Sequence, residues 1–493
     1  MTLKLKHGVI AGSLSIVYQL FRRLIGIVSL IILARILTPE DFGLVAIALI
    51  FLNFVDVITN FGGKSYLLSR ESIDDQMVLT NWSLRFVLKN TVGLLLALSS
   101  FLIANYYDDQ RLELIIQVFA LQIFLGTLAS PGLIYKRKKQ ELGAITRWNI
   151  VTKVISTALT IYIAVRYQTY WALVLGQLIS VCGGVLSSYI IAPLRPRFTF
   201  KAVKAQWDFA KWILPQSILN FFRSQIDALF VSTVFDKAIM GAYNSMRYYA
   251  SIPSTIFINP IIGTTLTQFS EFKNNLPYFR SQLQVTFFAF SAIAAPIIDI
   301  MRVKDEAIVL IVLGQKWVEY ADLFGIFGVF IIVTTINSIV SQIVMLKDAT
   351  KVLLFYSLGS ITFQVLLFTF MDFQDVYHLA KLKIAIDVFL ALGFYFYVVL
   401  KILGVKALRD ITLPMILSII SVVVASQAMS FLPSIDHLFL GLMVYCSVYM
   451  VIYASIQLTV VFVLKNKVYC FGYLWRLIDS VKGKLYLSLK RAS

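Results

Sequence analysis

The chain has 493 residues, of which 59% are apolar and only 14% charged, and its formal net charge is +18. Soluble domains run at roughly 45–50% apolar and 25% charged. The composition therefore excludes a soluble enzyme, a disordered chain and a nucleic-acid-binding domain, and fits a membrane protein whose cytoplasmic loops are rich in Lys and Arg.

A membrane-crossing helix needs about 20 mostly apolar residues. Fourteen such stretches are predicted, at 13–34, 42–62, 82–104, 112–134, 148–165, 170–191, 210–232, 241–265, 282–301, 322–346, 352–371, 376–400, 411–431 and 438–464. The expected class is an all-α polytopic membrane protein. Breakers or charges mark the joints: Thr38-Pro39-Glu40-Asp41, Asp108 to Arg111, Lys136 to Lys139, Lys347-Asp348 and Leu432-Pro433-Ser434. The first apolar run has full span length and no small-residue cleavage site, so it reads as a span, not a removed signal peptide. The longest outside loop, Val303 to Tyr320, holds under about twenty residues. No loop is long enough to fold as a domain.

Counting Lys and Arg on alternate loops gives 28 on the set that contains both termini and 7 on the other, with nine inside spans. That bias places both termini in the cytoplasm and supports an even number of spans. The tail Lys465 to Arg491 reads either as an amphipathic helix on anionic headgroups or as a solvated basic tail.

The joint Leu37 to Gly43 matches Phe235 to Gly241 at an offset of 198 residues: an apolar residue, a short acidic turn, then Gly opening the next helix. The match pairs span 1 with span 7. It divides the first twelve spans into parallel six-helix repeats, residues 1–197 and 198–404, followed by two added helices over 405–464 and a basic tail over 465–493.

Charge at the centre of a lipid-facing helix is expensive, so buried charges usually face a cavity or a partner. In span 7, Gln216, Asn220, Arg223 and Asp227 are spaced 4, 3 and 4 apart and share one face. Arg223 is either half of an Arg–Asp pair that joins two helices or part of a cavity wall. Comparable stripes are Ser15, Gln19, Arg22, Gly26 and Ser29 in span 1, Asn53, Asp56 and Asn60 in span 2, Asn149, Lys153, Ser156 and Thr160 in span 5, and Asn244, Arg247, Ser251 and Ser254 in span 8, which Pro253 and Pro260 bend. Arg85 and Lys89 in span 3 either line the cavity or snorkel to headgroups. Lys383 and Asp387 read as a structural i, i+4 pair, and Gly183-Gly184 as a helix-packing site.

The midplane charges are mostly positive, as an anionic substrate requires, and Arg suits phosphate through its two parallel donors. The expected substrate-binding residues are Arg22, Arg223, Arg247, Lys153, Asn220, Asn244 and Gln19. Asp56 and Asp227 are candidates for proton or sodium coupling. No catalytic, nucleotide-binding or metal motif occurs, and no cofactor is expected. Cys182, Cys446 and Cys470 form no CxxC pair, and His7, His378 and His437 are far apart.

The block LARILTPEDFG (Leu33 to Gly43), followed by Asp56, Asn60-Phe-Gly-Gly63 and Arg70-Glu71, resembles Wzx-type polysaccharide flippases of the multidrug/oligosaccharidyl-lipid/polysaccharide exporter superfamily. So do Gly241-Ala-Tyr-Asn244, Asn259-Pro-Ile-Ile262 and Leu313-Gly-Gln-Lys-Trp317. The resemblance extends over about the whole chain. It implies a bacterial inner (plasma) membrane setting, a V-shaped pair of six-helix lobes around a cationic cavity, alternating access, and export of undecaprenyl-diphosphate-linked oligosaccharide units for lipopolysaccharide, exopolysaccharide or capsule. The implied partners are that lipid-linked glycan, membrane lipids, and the polymerase and chain-length machinery. Two other readings stay open: a drug or small-molecule cation antiporter of the same superfamily, and a membrane polysaccharide polymerase.

Overall fold

A computed structural model describes Phe21 and residues 23–258, 275–347, 349–431, 437–476 and 478–479, except the side chains of Trp212, Phe257 and Thr350. Gln19, Arg22, Asn259 and Pro260 lie outside the described residues. The regular structure of the described residues is all helical, with no strand among them. The protein is an all-α polytopic membrane protein.

Helix α1 covers 23–36. It is followed by α2 (Pro39–Ile58), α3 (Gly63–Ser69), α4 (Asp75–Tyr106), α5 (Arg111–Thr127), α6 (Leu133–Lys138), α7 (Leu142–Tyr167), α8 (Trp171–Ile191), α9 (Val203–Val234) and α10 (Lys237–Pro253). Then come α11 (Leu276–Val303), α12 (Asp305–Val312), α13 (Ala321–Gly328), α14 (Phe330–Leu346), α15 (Thr350–Phe370), α16 (Val376–Val398), α17 (Val405–Met429) and α18 (Leu438–Leu464). Ten helical segments among the described residues are long and apolar enough to cross a membrane. The other four expected spans fall on the segment whose start lies outside the described residues, on α5 and α10 at 17 residues each, and on α9, which is long but carries the polar stripe.

Several joints have clear local causes. Thr38 Oγ1 accepts from Asp41 N at 3.2 Å, and Asp41 Oδ2 accepts from Thr38 N at 2.9 Å. With Pro39 in the first turn this capping box sets the start of α2. Past Pro253, α10 becomes a π turn over Ser254–Ile258.

Two joints between expected spans themselves contain helix. The stretch expected as the longest outside loop is mostly helical, as α12 and a 3-10 turn at Gln315–Tyr320, with Trp317 fully buried. The basic segment before span 7 is helical from Val203, because buried Gln206 ties α9 to α4 by hydrogen bonds with Asn81 and Met77 O. Part of the tail is also packed, not free: Cys470 and Phe471 are buried, and Phe471 meets Phe288 at 5.0 Å.

The chain forms two compact units. The first comprises the described residues up to Ser245 with Leu313–Lys316 and Ser357–Asp372. In it α4 packs on α5, α7 on α8, and α2 on α5 and α9. Leu112, Ile115, Ile116 and Phe119 of α5 are fully buried, whereas Leu94, Leu95, Leu98 and Leu102 of α4 are more than half exposed. An apolar stripe of that length facing outward suits hydrocarbon, not water. The second unit takes Met246–Val312, Trp317–Tyr356 and the described residues from Phe373 onward. There α11 packs on α17, and α17 on α18. Tyr449 donates to Asp299 Oδ2 at 3.0 Å, and Gln457 Nε2 donates to Ser418 Oγ at 3.0 Å. A polar group buried in a membrane protein needs such a partner.

Candidate functional site

The repeat seen in the sequence becomes a contact in the first unit. A Cβ on Gly43 would lie 1.7 Å from Lys237 O, and a Cβ on Gly241 would lie 1.9 Å from Pro39 O. The two equivalent glycines thus let the starts of α2 and α10 cross backbone to backbone. Charges surround the crossing. Arg111 reaches Glu40 at 2.6 Å and Asp109 at 2.7 Å, and Lys237 reaches Asp109 at 3.1 Å. Burial opposes ionisation of Asp109, but the bonds from Arg111 and Lys237 prevail and hold it down to about 2. A cavity of about 710 Å³ lies beside the crossing, with Glu40, Asp108, Asp236 and Lys237 in its wall.

The expected site residues fall in both units. Asp56, Lys153, Asn220, Arg223, Asp227 and Asn244 belong to the first, and Arg247 to the second. Asp227 on α9 is fully buried and accepts from Tyr243 of α10 at 2.8 Å. Arg223, one turn earlier, and Asn244 are half-buried, while Asn220 is exposed. On the α2 side of α9, Phe54 packs on Phe221 and Phe222 at 5.4 and 5.8 Å. Asp56 forms an ion pair with Lys89. Lys89 is therefore a carboxylate partner, which neither sequence reading of it named.

The span 5 stripe divides. Lys153 is half-buried, but Ser156 and Thr160 are buried, and a Cβ on Gly176 of α8 would lie 2.1 Å from Thr160 Oγ1. Thr152 closes on Gly183 in the same way, at 2.5 Å. Ser156 and Thr160 are packing residues, because small groups let two helices approach closely. Gly184 has open space beside it, so only the first glycine of that pair is a packing site.

In the second unit, the Arg247 guanidinium and the Lys383 ammonium both lie near the Phe330 ring, at 5.7 and 6.0 Å from its centroid. Lys383 is 2% exposed and pairs with Asp387 at 3.0 Å, the structural pair that the spacing predicts. No group of residues fit to hold a metal ion occurs among the described residues.

A family model described as polysaccharide biosynthesis protein matches residues 32–322. The chain is 22% identical over 303 residues to the succinoglycan biosynthesis transport protein ExoT of Rhizobium meliloti (strain 1021), covering 60% of each chain. It is 22% identical over 328 residues to the lipopolysaccharide biosynthesis protein WzxC of Escherichia coli (strain K12), covering 66% of each. The chain thus spans less than two thirds of the length of these relatives. Among solved structures it is similar to the lipid II flippase MurJ in an inward closed conformation, with a TM-score of 0.70 at 14% identity over 90% of this chain and 97% of that one. That likeness establishes a shared fold.

Proposed function

The chain belongs to the polysaccharide biosynthesis protein family, and on that premise we propose that it is a flippase for undecaprenyl-diphosphate-linked oligosaccharide units. It carries them from the cytoplasmic to the outer leaflet by alternating access, for assembly of a surface polysaccharide. It sits in the bacterial inner membrane with both termini cytoplasmic, acts as a transporter and not an enzyme, and works beside the polymerase and chain-length machinery. The six-helix lobes at 1–197 and 198–404, with two added helices, are its moving parts.

Family membership carries this reading, and physics gives it a task. Sugars and a diphosphate cannot cross hydrocarbon unaided, since each unsatisfied polar group there costs several kcal/mol. Outward movement of an anion also runs with an inside-negative potential, at about 2.3 kcal/mol per charge per 100 mV. In the first unit Arg223 and Lys153, with Asn220 and Asn244, would contact the anionic head; Arg22 and Gln19 would join them. In the second unit Arg247 would do so. Asp227, fully buried and bonded by Tyr243, and Asp56, ion-paired with Lys89, would be the acids that carry proton or sodium coupling.

Surface-glycan export in a strain that lacks the chromosomal copy tests the reading. The wild-type chain should restore export. An Arg223→Ala, Asp227→Ala double variant should reach wild-type membrane levels and export little. Full export by that variant would remove Arg223 from the substrate path, and failure of the wild-type chain would overturn the flippase reading.

A further inference from the structure

At the other end of α2 from the glycine crossing, the first unit holds a cavity of about 290 Å³. A helix of 20 residues is about 30 Å long, so the two ends are well separated. Three cations line it: Lys64 of α3, Arg85 of α4 and Arg137 of α6. Asn81 and Ser130 add polar groups, and Trp82 is among the apolar side chains of the wall. No carboxylate lines it.

Hydrogen bonds hold the wall together. Trp82 Nε1 donates to Thr127 O at 2.9 Å, and Arg85 Nη2 donates to Gly126 O at 3.3 Å. Ser130 N donates to Ser188 Oγ at 2.8 Å. Asn81 Nδ2 donates to Gln206 Oε1 at 3.1 Å, and a Cβ on Gly63 would lie 1.7 Å from that nitrogen. Gly62 holds a left-handed φ of 69°. The Gly62-Gly63 pair thus turns α3 under α4 and leaves room for Asn81.

Of the acids nearby, Asp56 also acts electrostatically on Arg85, and the others are engaged elsewhere. Asp56 pairs with Lys89, and Glu141 with Lys136 at 2.6 Å. Asp74 accepts from Met77 N at 2.7 Å, and Asp75 from the Tyr135 hydroxyl at 2.5 Å. Meanwhile Arg137 acts electrostatically on both Lys64 and Arg85, and partial burial together with that charge pushes the Lys64 ammonium below its ordinary value. Like charges gathered on an amphipathic, pre-positioned wall are what an anion would relieve.

We infer that Lys64, Arg85 and Arg137 form a binding site for a phosphate-bearing headgroup. The volume is at the small end of the roughly 300–1,000 Å³ of ligand pockets. It suits a phosphate or diphosphate and not an oligosaccharide unit, while Leu67, Val78 and Ile134 in the same wall suit the start of an alkyl chain. Two sources offer this chemistry: the diphosphate of a polyprenyl carrier and the head of an anionic phospholipid. The site stands whether or not the chain moves a glycan.

The test is binding to the full-length protein in phosphatidylcholine nanodiscs. The probes are inorganic diphosphate, sugar-free polyprenyl diphosphate, and nanodiscs that contain phosphatidylglycerol. Calorimetry reads the first two, and the thermal midpoint reads the third. Wild type should respond saturably to at least one probe. Lys64→Gln and Arg137→Gln should each weaken that response about tenfold, equivalent to about 1.4 kcal/mol. Arg137→Lys should keep part of it, and Lys201→Gln, on an exposed residue elsewhere, should match wild type. A response to the two diphosphates alone assigns the site to the carrier, and a response to phosphatidylglycerol alone assigns it to phospholipid. No saturable response by wild type, or equal responses in wild type and the Gln variants, would overturn the proposal. Each readout is independent of export, so its failure is distinct from failure of the transport reading.

Discussion

The two ends of α2 show opposite uses of charge. At the Pro39 end, Asp109 is 8% exposed and held by Arg111 and Lys237, and Glu40 shares Arg111. Every acid in that network has a cation, and the network closes around a backbone crossing that only glycine permits. At the Gly63 end, Lys64, Arg85 and Arg137 converge on a cavity without a carboxylate in its wall. A matched set of charges fixes structure; an unmatched set on a concave wall attracts a ligand. The same residue types therefore have different roles, set by what faces them.

The largest expected effect comes from the crossing itself. Gly43→Leu or Gly241→Leu would drive a side chain into the backbone carbonyl of Lys237 or Pro39. Overpacking typically costs about 1–3 kcal/mol and more where backbone cannot move, so each variant should lose most of its folded protein in the membrane. Size-exclusion profiles in detergent measure this, and a monodisperse peak at wild-type level would show that the crossing yields.

Next, Asp109→Ala leaves Arg111 and Lys237 without their shared acid. It should cost about 1–3 kcal/mol, read as a lower thermal midpoint. Arg137→Gln at the other end should leave the midpoint of the ligand-free protein unchanged or raised, since it removes a like-charge neighbour of Lys64 and Arg85. A loss there equal to that of Asp109→Ala would erase the contrast between the two ends.

A smaller effect concerns acid. Asp109 sits at about 2 in the folded chain, against about 3.9 for a free aspartate. Its contribution is fully present above about pH 4 and is lost as pH falls from there towards 2. The midpoints of wild type and Asp109→Asn should therefore differ at pH 6, draw together as pH falls below about 4, and converge only below about pH 2. A constant gap would mean that the ion network contributes little.

Much of this was legible in the sequence, for identifiable reasons. Span length and hydropathy showed the helices, because α4 and α18 each hold an apolar run long enough to cross hydrocarbon. Thr38-Pro39-Glu40-Asp41 read as a joint, because a capping box and a first-turn Pro are local signals. The offset between Gly43 and Gly241 showed that they are equivalent. That they touch was not legible, since a repeat records similarity and not contact. Lys64 and Arg137 were counted only as loop charges, because α4 and α5 separate them in sequence and only the fold brings them to one cavity. The span 5 stripe misled in part: periodicity places Ser156 and Thr160 on a face with Lys153, but cannot tell that Gly176 lies against it.

The central claim, transbilayer movement of a polyprenyl-diphosphate-linked oligosaccharide, is tested most directly in proteoliposomes. Purified full-length protein is reconstituted with a lipid-linked oligosaccharide carrying a labelled sugar, and an added glycosidase reports the fraction of label on the outer leaflet over time. The account predicts that wild-type vesicles expose nearly all the label to the enzyme, while protein-free vesicles expose about half and Arg223→Ala, Asp227→Ala vesicles move it far more slowly than wild type. Wild-type vesicles that expose no more label than protein-free ones would contradict it.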